Sequence, residues 1–84
     1  MNKVLIEIQC PATGKKYDFW IAKKMLVDDV IDNLTMLIQN SENNTSLFTD
    51  AKGLVLFKAP KFILDRKSTL KDVGIRSGDT LILI

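Results

Sequence analysis

Eighty-four residues, 46% of them hydrophobic and only two of them proline, describe one compact domain that is too apolar for disorder and too short for two cores. A formal charge of +2, from 12 basic and 10 acidic residues, is too slight to point to a nucleic-acid partner. One cysteine and no histidine exclude an internal disulfide and a conventional zinc site, so stability has to come from packing.

Taken in chain order, Val4 to Ile8 alternate between apolar and other residues, and Tyr17, Phe19 and Ile21 alternate again after Cys10-Pro11-Ala12-Thr13-Gly14-Lys15. This predicts a β-hairpin with Val4, Ile6, Ile8, Tyr17, Phe19 and Ile21 on a core face, and Leu5, Glu7, Asp18 and Trp20 on the other. From Val27 the period changes to three and four: Val27, Val30, Ile31, Leu34, Leu37 and Ile38 line one side of a helix. Asp28 and Asp29 complement its positive end, although Leu26 before them is a poor cap by side-chain chemistry. The polar run from Gln39 to Ser46 ends it as an exposed loop.

Leu54-Val55-Leu56-Phe57 and Phe62-Ile63-Leu64 predict a second hairpin across Lys58-Ala59-Pro60-Lys61, whose proline cannot donate a ladder hydrogen bond. Thr69 to Ile75 reads as a one-turn helix, Arg76-Ser77-Gly78-Asp79 as a turn, and Thr80 to Ile84 as a last strand. So apolar a closing strand belongs at the centre of a sheet, because an exposed edge of that composition would invite aggregation. Placed beside the first strand, it gives an α+β fold of the β-grasp (ubiquitin-like) kind: a mixed sheet in the order ββαββ, short helix, β, packed on one main helix, with residues 1–84 as a single domain.

The closing segment Leu70-Lys71-Asp72-Val73-Gly74-Ile75-Arg76-Ser77-Gly78-Asp79-Thr80-Leu81-Ile82-Leu83 resembles the end of ubiquitin-like domains. Leu70 and Ile75 would pin the short helix to the core, Gly78 would supply the turn, and Leu81 and Leu83 would insert inward. Together with Tyr17-Asp18-Phe19-Trp20-Ile21 and Val27-Asp28-Asp29-Val30-Ile31, this looks like the YukD/EsaB family, small ubiquitin-like proteins of Gram-positive type VII secretion systems. The resemblance implies a cytoplasmic accessory or regulatory component of a secretion machine that exports small helical proteins, with no enzymatic activity. A ubiquitin-like carrier or modifier would need an extended Gly-Gly terminus that another enzyme can adenylate. The sequence stops at Ile84, expected to be tied into the sheet with no Gly-Gly tail, which is an expectation against that role.

No apolar stretch approaches the roughly 18 to 20 residues that cross a bilayer, so direct membrane insertion is not expected. Met1-Asn2-Lys3 leads straight into a strand-like run with no room for a signal peptide, and the lone cysteine fits a reducing compartment; both point to the cytoplasm. Lys58, Lys61, Arg66, Lys67 and Lys71 cluster late in the chain, and Asp28, Asp29 and Asp32 cluster in the middle; both groups read as solvated surface. The three aspartates are expected to diverge around the helix and not to hold a metal. Cys10 has no histidine to deprotonate it and reads as a small residue ending a strand. Gly74 and Gly78 lack the Lys-Ser/Thr ending of a phosphate loop. No enzyme activity, cofactor or metal is expected.

What remains is the outward face of the sheet. If Val4, Ile6, Val55, Phe57, Leu81 and Leu83 face the helix, then Leu5, Leu54, Leu56, Ile82 and Ile84 face away and form one apolar patch, with Trp20 at its margin. This patch is the expected protein-interaction surface, able to serve a homodimer, a membrane-bound secretion subunit or another cytoplasmic component. Two alternatives stand: the chain's own loop covers these residues, or the register is shifted by one.

Overall fold

The structure, a computed structural model, describes residues 2–48, 53–59 and 62–84. Strands β1 (Lys3–Cys10) and β2 (Lys15–Ala22) form the expected antiparallel hairpin, in a register that sets Val4 opposite Ile21, Leu5 opposite Trp20 and Ile6 opposite Phe19. Its turn closes where the N–H of Gly14 donates to the Cys10 carbonyl at 2.9 Å; Gly14 has φ +69°, a backbone that glycine adopts without a Cβ clash. Helix α1 (Val27–Ser41) follows, then β3 (Leu56–Lys58), β4 (Phe62–Ile63) and β5 (Thr80–Leu83). The expected turn residues Pro60 and Lys61 lie outside the described residues.

The sheet runs β2-β1-β5-β3-β4, with β1 and β5 parallel and the other neighbours antiparallel. The closing strand is therefore central, and the α+β β-grasp arrangement follows. One face of the sheet gives Val4, Ile6, Ile8, Leu56, Leu81 and Leu83 to the core, and α1 covers them with Val27, Val30, Ile31, Leu34 and Ile38; each is at most 3% exposed. Cys10 is buried at the end of β1.

Two helix positions differ from the sequence reading. Leu37, expected in the core, is 48% exposed, and Thr35 is buried with its hydroxyl donating to the Asp32 carbonyl at 2.8 Å. Both lie on the flanks of the apolar stripe, where period alone does not say which flank the sheet covers. β2 is the sheet's edge, so the helix flank above it overhangs the strand and leaves Leu37 in the open.

Leu26 makes no side-chain cap, as its chemistry suggests. The helix start is satisfied from a distance instead. The N–H of Val27 donates to the Ser68 carbonyl at 2.8 Å and that of Asp28 to the Arg66 carbonyl at 3.0 Å, filling two of the donors that a helix start leaves unpaired. The Arg66 guanidinium also pairs with the Asp28 carboxylate and donates to the Leu54 carbonyl, so one side chain ties α1 to the approach to β3.

Both segments that turn after a helical stretch close in the same way. At the end of α1, Asn44 N–H bonds the Gln39 carbonyl and Asn43 N–H the Asn40 carbonyl, with Asn43 at φ +53°. In the expected one-turn helix, realised as a run of turns over residues 70–74, Ile75 N–H bonds the Leu70 carbonyl and Gly74 N–H the Lys71 carbonyl, with Gly74 at φ +77°. Each is a Schellman closure with its left-handed residue in place. Leu70 and Ile75 are buried as the closing motif implies.

Lys15, at the start of β2, donates to Glu42 Oε1 at 2.7 Å and so ties the hairpin to the helix end. That hydrogen bond, and then the carboxylate's charge, raise the Lys15 pKa above its ordinary 10.5. A lysine raised in the fold contributes stability that is complete below 10.5 and lost as pH rises through the folded value. Titration of the Lys15 Nζ by NMR is expected to give a midpoint above 10.5, and Glu42→Gln to lower it.

Leu81 is 0% exposed on the central strand, opposite Ile8, so Leu81→Ala leaves a cavity that the two flanking strands cannot close. We expect a loss of about 2–5 kcal/mol in urea unfolding, a large share of the stability of so small a domain.

Candidate protein-interaction surface

The face of the sheet away from α1 can be built row by row from the register. Residues directly opposite each other share a face, and successive rows along a strand stand about 7 Å apart. One row reads Lys16, Gln9, Ile82, Phe57, Ile63 across all five strands. The next along β1 reads Asp18, Glu7, Thr80, and the one beyond it pairs Trp20 with Leu5. On the other side of Ile82, Ile84 and Val55 exchange two backbone hydrogen bonds, at 2.7 and 3.1 Å, which continues the β3–β5 ladder and sets these two side chains on the same outward face.

Val55, Phe57, Ile63, Ile82 and Ile84 therefore form one apolar patch on three adjacent strands. Ile63 is 66% and Ile84 52% exposed, and the other three are half-buried. Across the polar row lie Leu5 and Trp20, 36% and 55% exposed. The polar row is knit together: the Thr80 hydroxyl donates to Glu7 Oε2 at 3.1 Å, and Lys16 Nζ stands 3.9 Å from Glu7 Oε1.

Of the six residues expected on this surface, Ile82 and Ile84 lie together on it, and Leu5 and Trp20 form a separate cross-strand pair. Leu54 and Leu56 do not belong to it. Leu56 is 0% exposed opposite Leu83, and Leu54 packs half-buried against the core. The register of β3 is shifted by one from the sequence reading, and such a shift moves every side chain of a strand to the other face. Val55 and Phe57 take the outward positions instead. Ile63 was not among the expected residues; the alternation of Phe62, Ile63 and the buried Leu64 carried the signal for it.

Asp28, Asp29 and Asp32 do not diverge as expected, because Asp28 and Asp32 stand one turn apart: carboxylate oxygens of all three lie within 4.8 Å of one another. All three are exposed, and Asp28 pairs with Arg66. The late basic cluster is also dispersed, since Lys58 bonds Asp79 at 3.3 Å and Arg66 turns to α1. Cys10 is 1% exposed, a thiol withdrawn into the core. Among the described residues, no helix is long and apolar enough to cross a membrane.

The family model described as "WXG100 protein secretion system (Wss), protein YukD" matches residues 4–83. The chain belongs to the YukD family. No curated protein matches it. Among solved structures, the YukD-family chain is similar to the EccD5 ubiquitin-like domain of Mycobacterium xenopi, with a TM-score of 0.78 at 16% identity over 100% of this chain and 94% of that one. It is similar to the ubiquitin-like domain of the Mycobacterium tuberculosis type VII secretion protein EccD1, with a TM-score of 0.73 at 15% identity over 100% and 99%. An Arabidopsis thaliana ubiquitin-like domain, from At2g32350, gives 0.75 at 16% identity over 100% and 78%. At such identities these likenesses show the ubiquitin-like fold, and the family match shows the type VII secretion context.

The two faces of β3 should separate cleanly by mutation. Leu56→Asp buries an unpaired carboxylate in the core and is expected to abolish cooperative thermal unfolding. Phe57→Asp, on the neighbouring outward position, should keep the circular dichroism spectrum and move the Tm by no more than a few degrees.

Proposed function

We propose that this YukD-family chain is a single-domain, non-enzymatic adaptor of the secretion system that works in the cytoplasm and docks another protein on the Val55, Phe57, Ile63, Ile82 and Ile84 patch. The observation that carries this reading is the patch itself: a sheet face turned away from α1 should be polar in a solitary domain, and here three adjacent strands present apolar side chains. Each such side chain is worth roughly 1.5 to 3 kcal/mol when fully buried, enough for a few of them to hold an interface. The EccD1 neighbour supports a place within the machine, because in it the same fold is a domain of a type VII secretion system protein. Glu7, Thr80 and Lys16 would form a polar rim on one side of the patch, a distribution that favours a specific contact over indiscriminate association. Cys10 is withdrawn into the core and the sequence holds no histidine to act as its base, which supports an adaptor over an enzyme.

The test is a Phe57→Asp, Ile82→Lys double variant expressed in place of the natural chain. Export of the system's small helical substrates is expected to fall at least tenfold while the purified variant remains folded by circular dichroism. Undiminished export by a folded, normally abundant variant would remove the patch from the function.

A further inference from the structure

A second surface lies on the opposite side of the molecule from that patch, where the edge of the sheet meets the helix. β2 is an edge strand of eight residues, paired with β1 on one side only. The Lys23 N–H donates to the Asn2 carbonyl at 2.8 Å, so by the alternation of an antiparallel ladder the odd-numbered residues of β2 bond β1. The backbone groups of Lys16, Asp18 and Trp20 therefore face the open edge, a template for another strand. Beside this edge runs a groove of about 310 Å³ between β2 and α1, with Phe19 and Ile21 on the strand side and Met25, Met36 and Leu37 on the other. Leu37 and Met36 are 48% and 58% exposed, so the groove has apolar walls that the chain itself leaves uncovered.

Charge chooses the occupant. Among the described residues, Lys3 is the one charged residue lining the groove, and it also lines an adjoining groove whose other charged residues are Lys23, Lys71 and Arg76. Among the described residues Lys3, Lys23 and Lys24 make no ion pair. Lys15 and Lys16, at the far end of β2, have their partners in Glu42 and Glu7, and Asp18 lies two rows along the hairpin from Lys3. A second copy of the chain is disfavoured: antiparallel self-pairing along the strand brings Lys15 and Lys16 of one copy alongside Lys23 and Lys24 of the other, and parallel self-pairing sets each lysine beside its own twin.

We infer that the β2 edge and the β2–α1 groove together bind an extended segment of a partner protein that adds a strand to the sheet, with alternate apolar side chains in the groove and acidic residues against Lys3, Lys23, Lys71 and Arg76. The strand supplies main-chain affinity, the groove selects alternate apolar positions, and the lysines select acidic ends. This surface is separate from the adaptor patch, so either can fail without the other.

The probe is the blocked peptide Asp-Glu-Val-Thr-Ile-Thr-Val-Glu-Asp, acidic at both ends so that either strand direction satisfies the basic end. Trp20 is the only tryptophan and lies on β2, so its fluorescence reports on the edge directly. We expect saturable quenching at low salt, with amide shifts and slowed hydrogen exchange at Lys16, Asp18 and Trp20. Lysine in place of the peptide's acids, or Leu37→Glu in the protein, should weaken Kd at least tenfold, and Lys23→Glu with Lys71→Glu should do so for the acidic peptide alone. Leu37 is exposed, so that variant is expected to keep its fold, checked by circular dichroism. No saturation up to millimolar peptide, shifts confined to β3–β5, binding indifferent to Leu37→Glu, or concentration-dependent dimerisation through β2 would each overturn the inference.

Discussion

The fold depends on the parallel pairing of β1 with β5, strands from opposite ends of the chain whose residues Glu7 and Thr80 stand opposite each other. Until that pairing forms, each hairpin has one apolar face and nothing to complete it, and α1 has no continuous surface to cover. Ile8 beside Leu81 places two fully buried residues at the middle of the sheet, directly under the helix. Pairing across so long a stretch of chain is entropically costly, and the segment between β4 and β5 meets that cost with specific anchors. The Arg66 and Ser68 carbonyls cap the helix, Leu70 and Ile75 bury their side chains, and Gly78 N–H reaches the Leu5 carbonyl at 2.9 Å. What looks like an irregular connection in sequence is the clamp that brings the last strand home.

That arrangement determines which surfaces are left for partners. With β1 and β5 at the centre, the sheet has two edges and, among the described residues, one face that no element covers. The bare face is apolar over β3, β4 and β5 and polar across Glu7 and Thr80. The β2 edge is flanked by lysines, a common device against indiscriminate strand pairing, yet it lies beside an apolar groove. This YukD-family chain thus presents two chemically distinct surfaces, one flat and apolar and one linear and basic.

Much of the fold was legible in the residues. The switch from period two to period three and four at Val27, the polar run after Ile38 and the apolar closing strand together allowed few topologies, and the turn residues Gly14, Asn43, Gly74 and Gly78 all adopt positive φ where the chain reverses. The candidate surface was legible only in part. Ile82 and Ile84 follow from alternation counted back from a strand with a clear inward set, and Leu5 and Trp20 from the hairpin. In β3 the alternation has no sign, because Leu54 and Leu56 are as apolar as Val55 and Phe57.

Sequence by itself determined the elements, their order, the family likeness and the absence of histidine or paired cysteines, because these depend on local periodicity and on which side chains exist. Only the tertiary structure decided which face of β3 is buried, which flank of α1 overhangs the edge, and how a helix without a capping side chain is capped. Each of these is set by a partner far away in the chain: Leu83 fixes Leu56, the end of the sheet at β2 exposes Leu37, and the carbonyls of Arg66 and Ser68 receive the first N–H groups of the helix. A run of residues that are all apolar carries the drive to be buried but not the direction, and direction comes only from the neighbour against which it packs.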